Sequence, residues 1–264
     1  MPGCETPSRS SPRPRRTATL ERTEAPPAPV RYDLTDDVVF AISKPLGGTG
    51  LLVIAFGALL SILASSPIMI VNLLLFLAYV GLYYNYMFKT VQTASLGREE
   101  LPDSPSGYEA IDTWQLVKIL VGMHLGLLLP VLLVIPVLAF VPSLVAYTVP
   151  IIVGAAVYPV FAYPMTVLLT AQTLNPLAAF NYPAILTSIV STFSSYALVL
   201  AYFLGLELAP VLARIFLVNP KVSMPVAFAL NGVSAAWTMF AMISLSLFIG
   251  RYFYREKARL GWFN

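Results

Sequence analysis

Residues 45–88 run without a charged side chain, and residues 119–206 do the same apart from the imidazolium that His124 could carry. A helix needs about 20 apolar residues to cross a bilayer, so the first block holds two crossings and the second three or four. Ser65-Ser66-Pro67 divides the first block, because proline disfavours helix at the residue before it. The predicted spans there are about 47–65 and 67–88. The alternative is one kinked helix over 45–88, which a hydrocarbon core of about 30 Å would accommodate only at extreme tilt. Further on, the pattern predicts spans at about 116–141, 146–170, 183–206 and 225–249. Pro130, Pro136, Pro150, Pro159 and Pro164 fall inside them, as membrane helices tolerate when neighbours satisfy the freed carbonyls.

Between these blocks the connections are polar. Residues 89–114 read as a loop, with Gly97, Pro102, Pro105 and Gly107 against a continuous helix. A turn at 172–182 carries Asn175-Pro176, and 207–223 reads as a short external segment. Residues 1–45 form a Pro/Ser/Arg-rich tail expected to be disordered and cytoplasmic. Within it, 33–43 suits a short interfacial helix with Asp33, Asp36 and Asp37 near its N-terminus. Residues 251–264 read as a basic cytoplasmic tail. The fold class is therefore all-α: a polytopic integral membrane helix bundle of about six transmembrane helices over 46–250.

Composition agrees. Of 264 residues, 58% are hydrophobic and 11% charged, with a mean hydropathy of +0.77. That leaves too little polar surface for a soluble domain of this size, which excludes an ordinary globular enzyme, a coiled coil and a disordered chain. The single cysteine, Cys4, excludes an internal disulfide and a cysteine zinc cluster, and the single histidine excludes every site that needs two.

Charge sets the expected orientation. With six crossings and a cytoplasmic N-terminus, the inside segments hold the basic residues before Pro45, Lys89, Arg98, Lys118 and the Arg251–Arg259 group. Only Arg214 and Lys221 fall outside, as the positive-inside rule requires. The expected localisation is the bacterial cytoplasmic membrane, with both termini cytoplasmic. Tyr83, Tyr84, Tyr86 and Phe88, and likewise Tyr252, Phe253, Tyr254, Trp262 and Phe263, are expected at the cytoplasmic interface.

Intramembrane polar residues are the candidates for chemistry. His124 reads either as a proton relay or ligand, or as a histidine bonding a neighbouring carbonyl. Asn72 and Asn231 are expected to be buried, making interhelical hydrogen bonds of about 0.6 kcal/mol. Glu207 reads as a solvated helix end. Thr187, Ser188, Ser191, Thr192 and Ser195 share one helical face, which suits either a polar pathway or close helix packing. Gly122-xxx-Gly126 and Gly232-xxx-Ala236 invite close helix contact. Catalytic templates fail on inventory. Gly232-Val-Ser234-Ala lacks the second glycine of an intramembrane serine-protease motif, and no phosphate-binding loop with its lysine is present. Gly47-Gly48-Thr49-Gly50 reads as a hinge. The tail nets +1 over 1–45, too weak for a polyanion, so nucleic acid is not an expected partner. No catalytic, cofactor-binding or metal-ligating residue is expected, and the chain does not read as an enzyme.

The loop sequence Gly97-Arg98-Glu99-Glu100-Leu101-Pro102-Asp103, followed by Trp114 and a new span, resembles a family of uncharacterised bacterial and archaeal multi-pass membrane proteins, grouped as a domain of unknown function. In that family a Gly-x-x-x-Leu-Pro stretch follows a helical hairpin. Leu174-Asn175-Pro176-Leu177, with Tyr196 in the next helix, is similar to the family's second internal turn. The resemblance covers roughly 45–250. It departs where Asp103-Ser-Pro-Ser-Gly-Tyr108 replaces a compact Trp-Asp-rich spacing. It implies a polytopic fold and no catalytic residue.

Read physically, Glu99, Glu100, Asp103, Glu109 and Asp112 against Lys89 and Arg98 make an acidic patch, with Leu101, Tyr108, Ile111 and Trp114 placed to lie on the bilayer surface; Glu99, Glu100, Leu101, Pro102, Asp103 and Trp114 are the candidate partner residues. The loop is either a solvated connector or a docking surface for a basic partner. The expected function is a non-enzymatic membrane scaffold or assembly factor acting through helix contacts and the 89–114 loop. Its expected partners are the lipid bilayer and membrane proteins or a second copy. The alternative is a small permease or channel, with a path between the third, fourth and fifth spans.

Overall fold

The computed structural model describes residues 34–64, 68–102, 113–217 and 224–262, and among them the regular structure is entirely helical. The tail up to residue 33, the Ser65-Ser66-Pro67 break, Asp103 with 104–112, and 218–223 lie outside the described residues. The elements are α1 (Leu34–Ser43), α2 (Gly48–Leu63), α3 (Met69–Ser95), α4 (Thr113–Phe140), α5 (Thr148–Thr173), α6 (Tyr182–Ser191), α7 (Phe193–Leu217) and α8 (Met224–Leu260).

Among the described residues five helices are long and apolar enough to cross a membrane, and the α1–α2 pair, bent by 61°, makes six if the pair is one span. The chain is a polytopic membrane helix bundle. α2 and α3 form a hairpin around α8 rather than one kinked helix. Near one end of α2, Ile62 faces Gly232, and Met239 presses on Gly57. α2 thus runs antiparallel to α8. Gly250 of α8 meets Val91 and Ala94 of α3, which places the C-terminal ends of α3 and α8 together. Gln92 of α3 donates to the Ala171 carbonyl at 2.6 Å, joining the C-terminal end of α5 to the same level. α4 enters beside that level and α7 leaves from it, so successive passes alternate in direction.

Packing is concentrated at this shared end. Buried residues include Tyr86, Phe88 and Val91 of α3, Ile119 and Met123 of α4, Met165 and Leu168 of α5, Ile185 of α6, and a run through α8 from Met239 to Phe253. At the opposite end the helices present apolar side chains outward, including Ile70 and Leu74 of α3, Ile135 and Phe140 of α4, and Val149 and Val153 of α5. Lipid solvates such faces without penalty, so membrane helices pack where small residues and polar groups hold them.

Several boundaries differ from the sequence expectation. α3 continues to Ser95 and α8 to Leu260, so part of the expected 89–114 loop and most of the expected basic tail are helix. At 37 residues, α8 is about 55 Å long and extends beyond a hydrocarbon core of about 30 Å. Its extension carries Arg251, Tyr252, Phe253 and Glu256, all buried. Tyr86, Phe88 and Tyr252 are likewise core residues and not an interfacial belt. The fifth span is broken at Thr192, whose backbone leaves the helix (φ −121°, ψ 24°). Thr192 Oγ1 donates to the Ser188 carbonyl at 2.7 Å, the back-bonding that bends helices. α7 then runs through Glu207 to Leu217, so Glu207 lies within the helix and not at its end.

Candidate functional site

The packed end is built around a buried ion network. Asp37 of α1 is 2% exposed and receives Arg251 at 3.1 Å and Arg255 at 3.0 Å, both from α8. The other Nη of Arg251 reaches Glu99, in the loop after α3, at 3.4 Å. The guanidinium of Arg251 also lies 3.5 Å from the centroid of the Phe40 ring, a cation–π contact that offsets part of its desolvation. One turn further, Glu256 is 6% exposed and sits beside Arg255 and Arg259 at 3.8 and 3.2 Å. The 251, 255, 259 spacing puts the three guanidiniums on adjacent positions of one helical face, so one helix end supplies the cations, and α1, the loop after α3 and Glu256 of the same helix answer them.

A hydroxyl layer continues the network. Ser195 Oγ donates to Glu256 Oε1 at 2.8 Å, and Trp262 Nε1 donates to Ser188 Oγ at 2.7 Å. Thr192 has given its proton to Ser188, so the Tyr252 hydroxyl donates to Thr192 Oγ1. Similarly, Ser244 Oγ donates to the Ala41 carbonyl at 2.7 Å and accepts from Tyr202. The hydroxyl stripe therefore fastens α6 and α7 to the end of α8. Ser188, Thr192 and Ser195 are engaged there, while Ser191 is exposed and bonds only its own helix, at the Ser188 carbonyl. Replacing Thr192 with Val should remove one interhelical bond and lower stability by about 0.6 kcal/mol, up to about 1.7. Chemical unfolding in mild detergent measures it.

The other sequence candidates are dispersed. His124 of α4 is exposed; its Nδ1–H donates to the Leu120 carbonyl at 2.8 Å and its Nε2 faces the Tyr84 hydroxyl at 3.1 Å. Asn72 and Asn231, expected to be buried, are both exposed. Asn72 stands near the N-terminal end of α3 and Asn231 near that of α8, away from the ion network. In the loop, Glu99 is drawn into the ion network, Glu100 is exposed, and Leu101 is half-buried against the core. The Pro102 carbonyl accepts a long bond from the Tyr86 hydroxyl at 3.5 Å. Trp114 is 63% exposed with the Lys118 ammonium 5.7 Å from its ring. Asp103 lies outside the described residues.

Sequence reasoning missed the ion network and a buried threonine pair. Asp37 was placed only as a helix-end charge, and Arg251 and Glu256 as tail. Their i, i+4 spacing with Arg255 and Tyr252 was the available signal. Glu207, expected as a solvated helix end, lies inside α7 and is exposed. On α5, Thr166 and Thr170 are one turn apart and buried, and their hydroxyls have no hydrogen-bond partner among the described residues. No group of three or more His, Cys, Asp or Glu able to hold a metal ion occurs among the described residues. Compared with known proteins, the chain matches no family model, no curated protein and no solved structure.

Proposed function

We propose that the chain is a non-enzymatic membrane scaffold or assembly factor of a bacterial cytoplasmic membrane, with both termini cytoplasmic. The observation that carries the reading is the use made of the polar groups. The buried charges and the hydroxyl stripe are spent on holding α1, α3, α6, α7 and α8 together at one end. The opposite end leaves long apolar faces on α3, α4 and α5 for the helices of a partner or a second copy. Arg98, Lys118, Arg251, Arg255, Lys257 and Arg259 gather at the packed end, and the positive-inside rule favours the cytoplasm for it.

A permease is the second reading. Glu207 favours it, as a carboxylate within a membrane helix, because such a residue marks a pathway by default.

Photo-crosslinkers at Leu74 and Leu132, both exposed, separate the readings in native membranes. A scaffold gives a protein adduct of discrete mass at both sites, unchanged by Glu207→Gln. Adducts to lipid alone, with a growth or uptake defect in Glu207→Gln at normal protein level, would replace the scaffold by the permease.

A further inference from the structure

Where α1 bends into α2, an open cavity of about 470 Å³ lies between this corner and the loop after α3. Lys44 lines one part of it and Glu100 another. Opposite charges that share a cavity normally close on each other, yet no ion pair within 4.0 Å joins these two. Glu99, the sequence neighbour of Glu100, is paired with Arg251. The Lys44 ammonium instead stands 5.6 Å from the centroid of the Phe40 ring, which Arg251 also covers. The lining adds the hydroxyl-bearing residues Ser43 and Thr49. The cavity thus carries one positive and one negative wall at a separation that keeps them apart, complementary to a zwitterion.

Its level in the bundle matters as much as its charge. The cavity sits at the N-terminal end of α2, next to the ion network and immediately before the apolar run that begins at Leu51. Leu46, Leu51 and Leu52 beside it are 57%, 54% and 71% exposed. A charged niche bordered by outward-facing leucines at the edge of the apolar slab matches a molecule with a zwitterionic head and hydrocarbon tails.

We infer that this cavity binds the headgroup of an aminophospholipid, whose phosphate accepts from Lys44 and Thr49, whose ammonium donates to Glu100, and whose acyl chains lie along Leu46 and Leu52. The Glu100 carboxylate selects a primary ammonium, because a quaternary ammonium has no N–H to donate in a charge-assisted bond. The same carboxylate repels a headgroup that carries phosphate charge alone.

The test uses the full chain reconstituted in vesicles of equal parts phosphatidylethanolamine, phosphatidylcholine and phosphatidylglycerol, then released for native mass spectrometry. Phosphatidylethanolamine is expected to be retained about tenfold over each of the others, a difference of about 1.4 kcal/mol. Lys44→Gln should bring that retention down to the phosphatidylcholine level. Glu100→Gln should do the same while raising phosphatidylglycerol. Glu100 is exposed and Lys44 only half-buried, so both variants should keep the helical circular dichroism of the parent. Equal retention of the three lipids by the parent chain would overturn the site, as would ethanolamine-lipid retention unchanged in both variants. Soluble phosphoethanolamine, tested alone, should bind at least tenfold more weakly than the lipid; equal binding would reassign the cavity to a free zwitterion and overturn the lipid assignment.

Discussion

Replacing Asp37 with Ala should destabilise the membrane domain by about 3–5 kcal/mol, the cost of breaking a buried ion pair from one side. The carboxylate is 2% exposed and is shared by Arg251 and Arg255 at 3.1 and 3.0 Å. Without it, Arg251 loses its buried carboxylate and retains the largely exposed Glu99 and the face of Phe40, and Arg255 retains Glu256 at 3.8 Å. Two desolvated cations would then stand side by side on one helix face. Thermal unfolding in detergent, followed by circular dichroism, should show Tm falling by roughly 10 °C at about 2–4 °C per kcal/mol. The triple variant Asp37→Ala, Arg251→Met, Arg255→Met should recover a large part of the loss, because it strands no charge. A single variant as stable as the parent would mean that the network contributes nothing to holding α1 against α8.

Gly122→Val should cost about 1–3 kcal/mol or more, by overpacking a contact that has no room. A Cβ at Gly122 would come 2.0 Å from the Pro176 carbonyl oxygen and 2.8 Å from its carbon. Both are backbone atoms, so no rotamer change relieves the clash. One turn later a Cβ at Gly126 would meet the Ala179 side chain at 2.6 Å, and Tyr182 ties the same turn to the Gly126 carbonyl at 2.9 Å. The α5–α6 connection therefore lies directly on α4. Leu174, which ends α5 at φ 49°, and the Asn175 side chain, which accepts from the Leu177 amide at 2.9 Å, shape the turn that makes this approach possible. Gly154→Val is the control: nothing lies within 4 Å of its Cβ position, and its stability should move by less than about 0.5 kcal/mol. If the two valine variants unfolded at the same temperature, the close packing at Gly122 would be refuted.

The passes were legible because lipid demands long apolar runs, and those runs are visible in any reading of residues 45–88 and 119–206. The small-residue pair Gly122 and Gly126 was legible too, although its partner proved to be a turn and not another membrane helix. What failed was the inference that charge ends a helix. Hydropathy drops at Arg251 and at Glu207, yet α8 and α7 continue through both. A helix stops where its backbone is capped or broken, and neither charge does that. The hydroxyl stripe shows a second limit. Its periodicity was correct in sequence, but the partners that give it meaning, Tyr252, Glu256 and Trp262, lie about sixty to seventy-five residues away in the chain. No local pattern encodes that pairing. Asn72 and Asn231 failed for a related reason: polarity in an apolar run suggests burial, but burial depends on which face of a helix its neighbours cover, and both residues are exposed.

Sidedness is the most direct test of the whole account. In a Cys4→Ser background, single cysteines at Leu96, Leu177 and Lys257 stand at the packed end, and single cysteines at Ile68 and Tyr147 stand at the open end; all five positions are exposed. A membrane-impermeant maleimide applied to intact cells should label Ile68→Cys and Tyr147→Cys alone. The other three should react only in inverted vesicles. Labelling of any packed-end position from outside the cell, or of both ends from the same face, would contradict an even-pass bundle locked at its cytoplasmic end.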